Sequence, residues 1–264
     1  MKNIIQSILN TQSIEYFGVI RFSSCKVINK DLLDRTVTGW SPKSVIMVIV
    51  PYYSGEYKDR NISLYAVPKD YHLFFKQMYD AVLPQMKMNF PQNNFAAFAD
   101  HSPIGETYAA ALAGLGMVGD KFQLINEKYG SHVFIGEIIT DLEFDSYDET
   151  EVMFCEHCGM CTKSCPSKDF CFSEITQRKG ELSRKEEQMI IDQNCVWGCD
   201  VCRTVCPHNS NISITPIDFF KSDLITNVSE EMIEGMSKEE FKSRAYGWKG
   251  KKTIIRNIKV LNKS

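Results

Sequence analysis

Three short stretches, residues 17–22, 44–50 and 134–140, are apolar and rich in β-branched side chains. Runs of this length bounded by polar residues predict strands, and together they predict a sheet. Between the second and third, Phe75, Met78, Tyr79 and Val82 recur at i, i+3, i+4 and i+7 behind Asp70, the stripe of a helix with one buried face. The segment Ala109-Ala-Ala-Leu-Ala-Gly-Leu-Gly-Met-Val-Gly119 predicts a small-residue helix that runs into a glycine-rich bend, with a strand-like stretch at 122–125. Gly114, Gly116 and Gly119 spell G-x-G-x-x-G, but the helix comes before them and the strand after, the reverse of a dinucleotide-binding fingerprint. These glycines either turn the chain sharply or let its backbone approach something flat or bulky. Farther along, Ser183-Arg-Lys-Glu186 and Ser237-Lys-Glu-Glu240 are capping boxes, each opening a helix. Residues 1–150 therefore read as an α/β or α+β unit of their own.

Composition excludes several classes. With 264 residues, 44% apolar and 24% charged, the chain is globular, neither disordered nor fibrous. The apolar run at 44–50 is far short of the roughly 18–20 residues that cross a bilayer. The opening MKNIIQSILNTQSIEY carries polar residues every few positions and lacks the apolar centre of a secretory signal. A cytoplasmic protein with no membrane contact is expected. The net charge of −3 conceals an asymmetry: residues 238–264 carry nine Lys/Arg against two Glu, a net of +7, which leaves −10 for the rest. With Trp248 and Tyr246, this segment either meets nucleic-acid phosphates or is a solvated helix face docked by Ile254, Ile255, Ile258 and Leu261.

The cysteines change the picture most. Nine of ten fall between Cys155 and Cys206, and Cys25, read as a buried small hydrophobe, stands apart. The first group, Cys155-Glu-His-Cys158-Gly-Met-Cys161-Thr-Lys-Ser-Cys165-Pro166, is the C-x2-C-x2-C-x3-C-P run of two-cluster bacterial ferredoxins, in which the fourth cysteine serves the other cluster. Cys199-Asp-Val-Cys202-Arg-Thr-Val-Cys206-Pro207 answers it. By that crossed logic Cys155, Cys158, Cys161 and Cys206 hold one 4Fe–4S cluster, and Cys165, Cys199 and Cys202 hold most of a second. Cys171 and Cys195 compete for the last position. A zinc ribbon would space its paired motifs by roughly 15–20 residues and would explain neither Cys-Pro step. Disulfides are not expected of cytoplasmic thiols. His157 and His208 flank ligands but are assigned no metal.

At this point the chain resembles the epoxyqueuosine reductase family. The resemblance rests on Tyr65-Ala-Val-Pro-Lys-Asp-Tyr-His72, Asp100-His-Ser-Pro-Ile-Gly-Glu106, Ala113-Gly-Leu-Gly-Met-Val-Gly119, Gly130-Ser131, Phe134-Ile-Gly-Glu-Ile138, Cys171-Phe-Ser-Glu-Ile-Thr-Gln177 and Trp197-Gly-Cys-Asp-Val-Cys202, in that order. It implies an α+β protein: an α/β cobalamin-binding domain (1–150), a ferredoxin-like domain with two 4Fe–4S clusters (151–212) and a helical basic segment (213–264), the corrin held between the first two. It implies Cys171 as the eighth ligand. Asp100 matches the family's proposed proton donor, where a desolvated carboxyl would be held protonated; on the residues alone it equally well caps the helix that follows. Tyr65, Leu124, Ile125, Asn126, Ile135 and Ser173 match positions lining the corrin. Thr107 and Asp120 stand where the family usually has Arg and Lys.

The activity so implied is reductive deoxygenation of epoxyqueuosine to queuosine in the tRNA wobble position by a monomer fed by a low-potential electron donor. The chain is expected to be a short form without the family's C-terminal helical repeats. Two alternatives remain: a cobalamin-dependent iron–sulfur reductase of another small molecule, and a ferredoxin-like electron carrier.

Overall fold

The computed structural model describes residues 1–263 of an α+β chain. It divides into two compact units, and neither is a single stretch of sequence. Unit 1 comprises residues 1–52, 74–158 and 211–217; unit 2 comprises 53–73, 159–210 and 218–264.

Unit 1 is built on a four-stranded sheet. Strands β1 (Phe17–Arg21), β2 (Ser44–Pro51), β3 (Phe95–Ala99) and β6 (Val133–Thr140) lie in the order β1-β2-β6-β3, every neighbouring pair antiparallel. That pairing makes the unit α+β rather than α/β. The two central strands are the expected apolar runs, and every residue of β2 is buried, so it reads as a continuous apolar stretch rather than an alternation. β3 was not legible beforehand. Its FAAFA sequence offers only small residues between two rings, and it sits half-buried at the sheet's edge.

Helices α1 (Lys2–Asn10) and α2 (Lys30–Thr36) precede β2, and α3 (Tyr71–Asn89) presents Phe75, Met78 and Val82 as its buried stripe, with Phe74 and Met86. Helix α4 (Glu106–Leu112) buries Ala109, Ala110 and Ala111 against the sheet, where only small side chains allow close approach. A two-stranded hairpin, β4 (Met117–Val118) with β5 (Leu124–Ile125), follows it. The glycine-rich bend serves this hairpin. Gly116 has φ +157°, and a Cβ there would lie 2.4 Å from the Ile125 carbonyl oxygen, so the close approach it permits is between the two strands themselves.

Unit 2 is helical: α5 (Met160–Lys163), α6 (Phe172–Gln177), α7 (Arg184–Gln193), α8 (Val201–Thr204), α9 (Glu230–Gly235), α10 (Lys238–Lys242) and α11 (Lys251–Leu261). Both expected capping boxes form, at Ser183/Glu186 and Ser237/Glu240. α11 packs on α6, α7 and α9 through Ile254 and Ile258, which are buried, while Ile255 and Leu261 are half-buried. The basic segment is therefore docked rather than free. Tyr246 cannot touch a nucleic acid: it is fully buried, edge-on to Trp197 with ring centroids 6.2 Å apart, because its ring fills the core. Among the described residues no helix is long and apolar enough to cross a membrane.

Candidate functional site

The thiols come first. All ten cysteines are free. Cys155 and Cys158 close the long segment of unit 1. The Cys155 amide donates to the Val118 carbonyl at 3.0 Å and Val118 donates to Met153 at 2.9 Å, which ties the first cysteine to β4. Asp120 reaches His157, 2.5 Å from its Nδ1, and the ligand atoms of Asp120, Cys155 and His157 lie within 4.8 Å of one another.

In unit 2, Gly159 (φ +73°) opens α5, which carries Cys161 and packs on α8, which carries Cys202. The two cysteine motifs are thus brought together through their short helices. Each Cys-Pro step ends its motif: Cys165 leaves α5, and Cys206 leads into a 3-10 turn that Pro207 starts. The approach to Cys199 is held by a buried carboxylate. Asp200 Oδ1 accepts from the Ser63 hydroxyl at 2.7 Å, and Oδ2 accepts from the Leu64 amide and the Arg60 guanidinium, both at 2.7 Å. Gly198 (φ +77°) has no room for a side chain, since a Cβ would stand 2.5 Å from that of Ser63. Its amide donates to Thr176 Oγ1 at 2.9 Å, and Asn257, fully buried, donates to the carbonyls of Thr176 and Val196.

The two competing cysteines differ in setting. Cys195 is buried in the core of unit 2, and its thiol donates to the carbonyls of Trp197 (3.4 Å) and Gly198 (3.5 Å). Cys171 is exposed at the start of α6. A cavity of about 190 Å³ is lined by Cys195, Cys199, Phe172, Arg60 and the first residues of α8. Cys25 is half-buried rather than buried: it packs against the edge of the core of unit 1, and partial burial pushes its thiol up to about 12.

The second candidate group lies in unit 1. Asp100 follows β3 with φ +65°, a left-handed conformation that costs a non-glycine residue on the order of 1 kcal/mol and marks functional turns. It does not cap α4, whose N-cap is Gly105 with no side-chain bond. Instead its amide donates to the Glu106 carboxylate. The pairing of Ala99 with Gly136 puts Asp100 beside Ile135 at the sheet's edge.

Two further carboxyls gather here. Glu137 is fully buried on β6, neither oxygen has a hydrogen-bond partner, and burial pushes it up to about 8, the Ser102 hydroxyl opposing that shift and Glu106 adding to it. Burial and the Asp100 charge push Glu106 up to about 7, and its Oε2 has no partner. Neither was singled out from the sequence. The signal was present, because a Glu in the middle of a fully apolar strand is buried unless the strand is an edge.

Leu124 and Ile125 are buried strand residues of β5. Asn126 is committed to its loop, donating to the Leu115 carbonyl at 2.8 Å and accepting from the amides of Lys128 and Tyr129. Tyr65 and Ser173 meet in unit 2 through Gln177, whose amide donates to Tyr65 Oη (3.4 Å) and Ser173 Oγ (2.8 Å), while Tyr65 also accepts from the Trp197 indole at 3.0 Å. Thr107 donates to the Phe122 carbonyl at 3.3 Å, which brings Phe122, 83% exposed, beside the start of α4 and the half-exposed Tyr108.

The chain thus combines an antiparallel α+β unit that carries the Asp100 turn with a helical unit in which Cys161 and Cys202 sit on packed helices. Residues 36–101 match the family model "Epoxyqueuosine reductase QueG, DUF1730". The epoxyqueuosine reductase of Lactococcus garvieae is 28% identical over 77% of this chain and 61% of its own length, and that of Leadbetterella byssophila is 32% identical over 64% and 59%. The fold matches the structure of epoxyqueuosine reductase from Streptococcus thermophilus with a TM-score of 0.79 at 22% identity, covering 99% of this chain and 80% of that one. An epoxyqueuosine reductase solved with an epoxyqueuosine-modified tRNA-Tyr stem loop matches with the same score and identity over 98% and 80%. The chain is thus similar in sequence and in fold to epoxyqueuosine reductases. It spans about 60% of the length of these two curated relatives.

Proposed function

We propose that this chain reduces epoxyqueuosine to queuosine at the tRNA wobble position. The reaction takes two electrons and two protons, cleaves both C–O bonds of the epoxide, and leaves a C=C bond and water. The observation that carries the reading is the pairing of the two cysteine helices in a chain similar to epoxyqueuosine reductases.

The donor set suits iron–sulfur clusters: free thiols, most of them half-buried, with short helices and glycine turns that leave backbone amides near them. Cys155, Cys158, Cys161 and Cys206 would hold one 4Fe–4S cluster and Cys165, Cys171, Cys199 and Cys202 the other. Cys171 is favoured over Cys195 by the resemblance and because it is exposed at the start of α6, whereas Cys195 is buried in the core of unit 2. Cobalamin would supply a low-potential metal centre able to open the epoxide. Unit 1 offers such a ligand the exposed rings of Phe122 and Tyr108 near the start of α4. Ile135 and the backbone of Leu124, Ile125 and Asn126 would contact it, and Tyr65 and Ser173 are carried as corrin-lining candidates by the resemblance alone. Asp100, exposed and fixed by its own amide to Glu106, would deliver a proton to the departing oxygen. A low-potential donor in the cytoplasm would provide the electrons.

The test is anaerobic reconstitution. The reading expects about eight irons per chain, cobalamin kept through desalting, and conversion of an epoxyqueuosine-bearing stem loop. Iron without retained cobalamin would instead indicate an electron carrier. Retained cobalamin with an untouched stem loop would indicate a reductase of another small molecule.

A further inference from the structure

Unit 2 carries a cationic cavity with no cysteine in its lining. Two segments form it, 179–180 and 249–256, and it encloses about 510 Å³. Its lining contributes five positive side chains, Lys179, Lys249, Lys251, Lys252 and Arg256, and no carboxylate. Such density of one sign in a chain whose other 237 residues sum to −10 is not an average surface.

The cavity is built rather than incidental. Arg256 draws the two segments together by donating to the carbonyls of Arg178 and Gly180. Lys251 is tied to the carbonyls of Glu234 and Met236, at 3.0 and 2.7 Å. Those two cations shape the wall. The other three, Lys179, Lys249 and Lys252, form no ion pair among the described residues. Neighbouring cations outside the cavity are neutralised by carboxylates: Arg178 by Glu186, Lys259 by Glu230 and Lys263 by Glu187. Three unpaired lysines thus share one cavity. Beside it Trp248 is 64% exposed, and Lys249 Nζ stands 3.9 Å from its ring centroid. Lysines also occupy the first turn of α11, where they meet the positive end of the helix and repel it unless an anion is bound.

We propose that this cavity binds the sugar–phosphate backbone of RNA, with Lys179, Lys249 and Lys252 contacting phosphates and Trp248 stacking on an unpaired base. The proposal rests on the reading that the substrate is RNA. A free inorganic anion would need no aromatic platform, whereas an anticodon loop presents phosphates and unstacked bases together. Each neutralised phosphate releases counterions, so three contacts give about −2 in the slope of log affinity against log salt for single strands.

The experiment uses the reconstituted full chain and a labelled anticodon stem loop, with anisotropy followed between about 50 and 200 mM salt. For the triple variant Lys179→Ala/Lys249→Ala/Lys252→Ala, the dissociation constant rises tenfold or more and the salt slope shrinks by about 2. Trp248→Ala weakens binding several-fold without altering the slope. Iron content and circular dichroism equal to the parent's show that the variants are folded. Parent and triple variant binding with the same affinity and slope, while the parent still converts the modified stem loop, would overturn the cavity assignment and leave the proposed function standing. A parent that binds no RNA would overturn both. A triple variant that loses only its affinity for phosphatidylglycerol vesicles would make the cavity a lipid site and equally overturn the assignment.

Discussion

The backbone amide of Asp100 is hydrogen-bonded to the carboxylate of Glu106, six residues on, and so a residue in a left-handed turn is held by the first turn of the next helix. Replacing Asp100 by Asn keeps the turn, since Asn tolerates this conformation as well as Asp does, and removes only the acid. Turnover of the modified stem loop should fall by about 10²-fold or more, with cobalamin retention unchanged. An unaltered rate would remove Asp100 from the chemistry.

Glu137 makes stability depend on pH. Its pKa in the folded chain is about 8, raised by burial, against an ordinary value of 4.5, so the folded state holds a proton that the unfolded state releases. Stability is greatest below pH 4.5 as far as this group is concerned, and it declines as pH rises through 8. The loss approaches roughly 5 kcal/mol at the alkaline end. The Glu137→Gln variant, a neutral isostere, should show little of this decline, and its melting temperature at pH 9 should exceed the parent's. Parallel curves for the two proteins between pH 6 and 9 would show that the carboxyl is ionised without penalty.

Cys171 and Cys195 are separable by iron analysis. Cys171→Ala should lower bound iron by about four per chain through loss of one cluster. Cys195→Ala should keep full iron and cost about 1–2 kcal/mol of stability, the price of a small core thiol and its two hydrogen bonds. The reverse pattern would assign the ligand to Cys195, which already lines the cavity beside Cys199.

Gly198 tests the frame behind the second motif. An alanine there combines a positive φ with a contact of 2.5 Å to Ser63 Cβ, so Gly198→Ala should destabilise the protein by about 3 kcal/mol. Gly180→Ala serves as the control: it shares a positive φ (+90°) but has open space around it, and it should lose only the backbone share of that amount. Equal losses in a denaturant titration would mean that the close approach at Gly198 is unimportant.

Much of this was legible in the residues. The central strands announced themselves because each is a mostly apolar, β-branched run, and the capping boxes because Ser and Glu three apart satisfy each other's backbone partner. The spacing of the cysteine motifs is local and can be read without the fold, while their assignment to two clusters remains part of the proposal. What escaped detection was long-range. β3 is an edge strand with no pattern of its own, and its place was decided by pairing with β6. The interleaving of 53–73 and 211–217 between the two units leaves no mark in composition. Tyr246 looked like a surface aromatic among lysines, yet Trp197, 49 residues earlier, gives it a core to fill. The Glu106–Glu137 pair joins residues 31 apart, and only the fold shows that burial has raised both.

The central claim is the reaction itself. Its most direct test is mass spectrometry of tRNA nucleosides from cells that lack their own epoxyqueuosine reductase and express either this chain or its Asp100→Asn variant. The account predicts queuosine with the parent chain and accumulated epoxyqueuosine with the variant. Epoxyqueuosine persisting in both, in cells where the parent chain carries its full complement of iron, would contradict it.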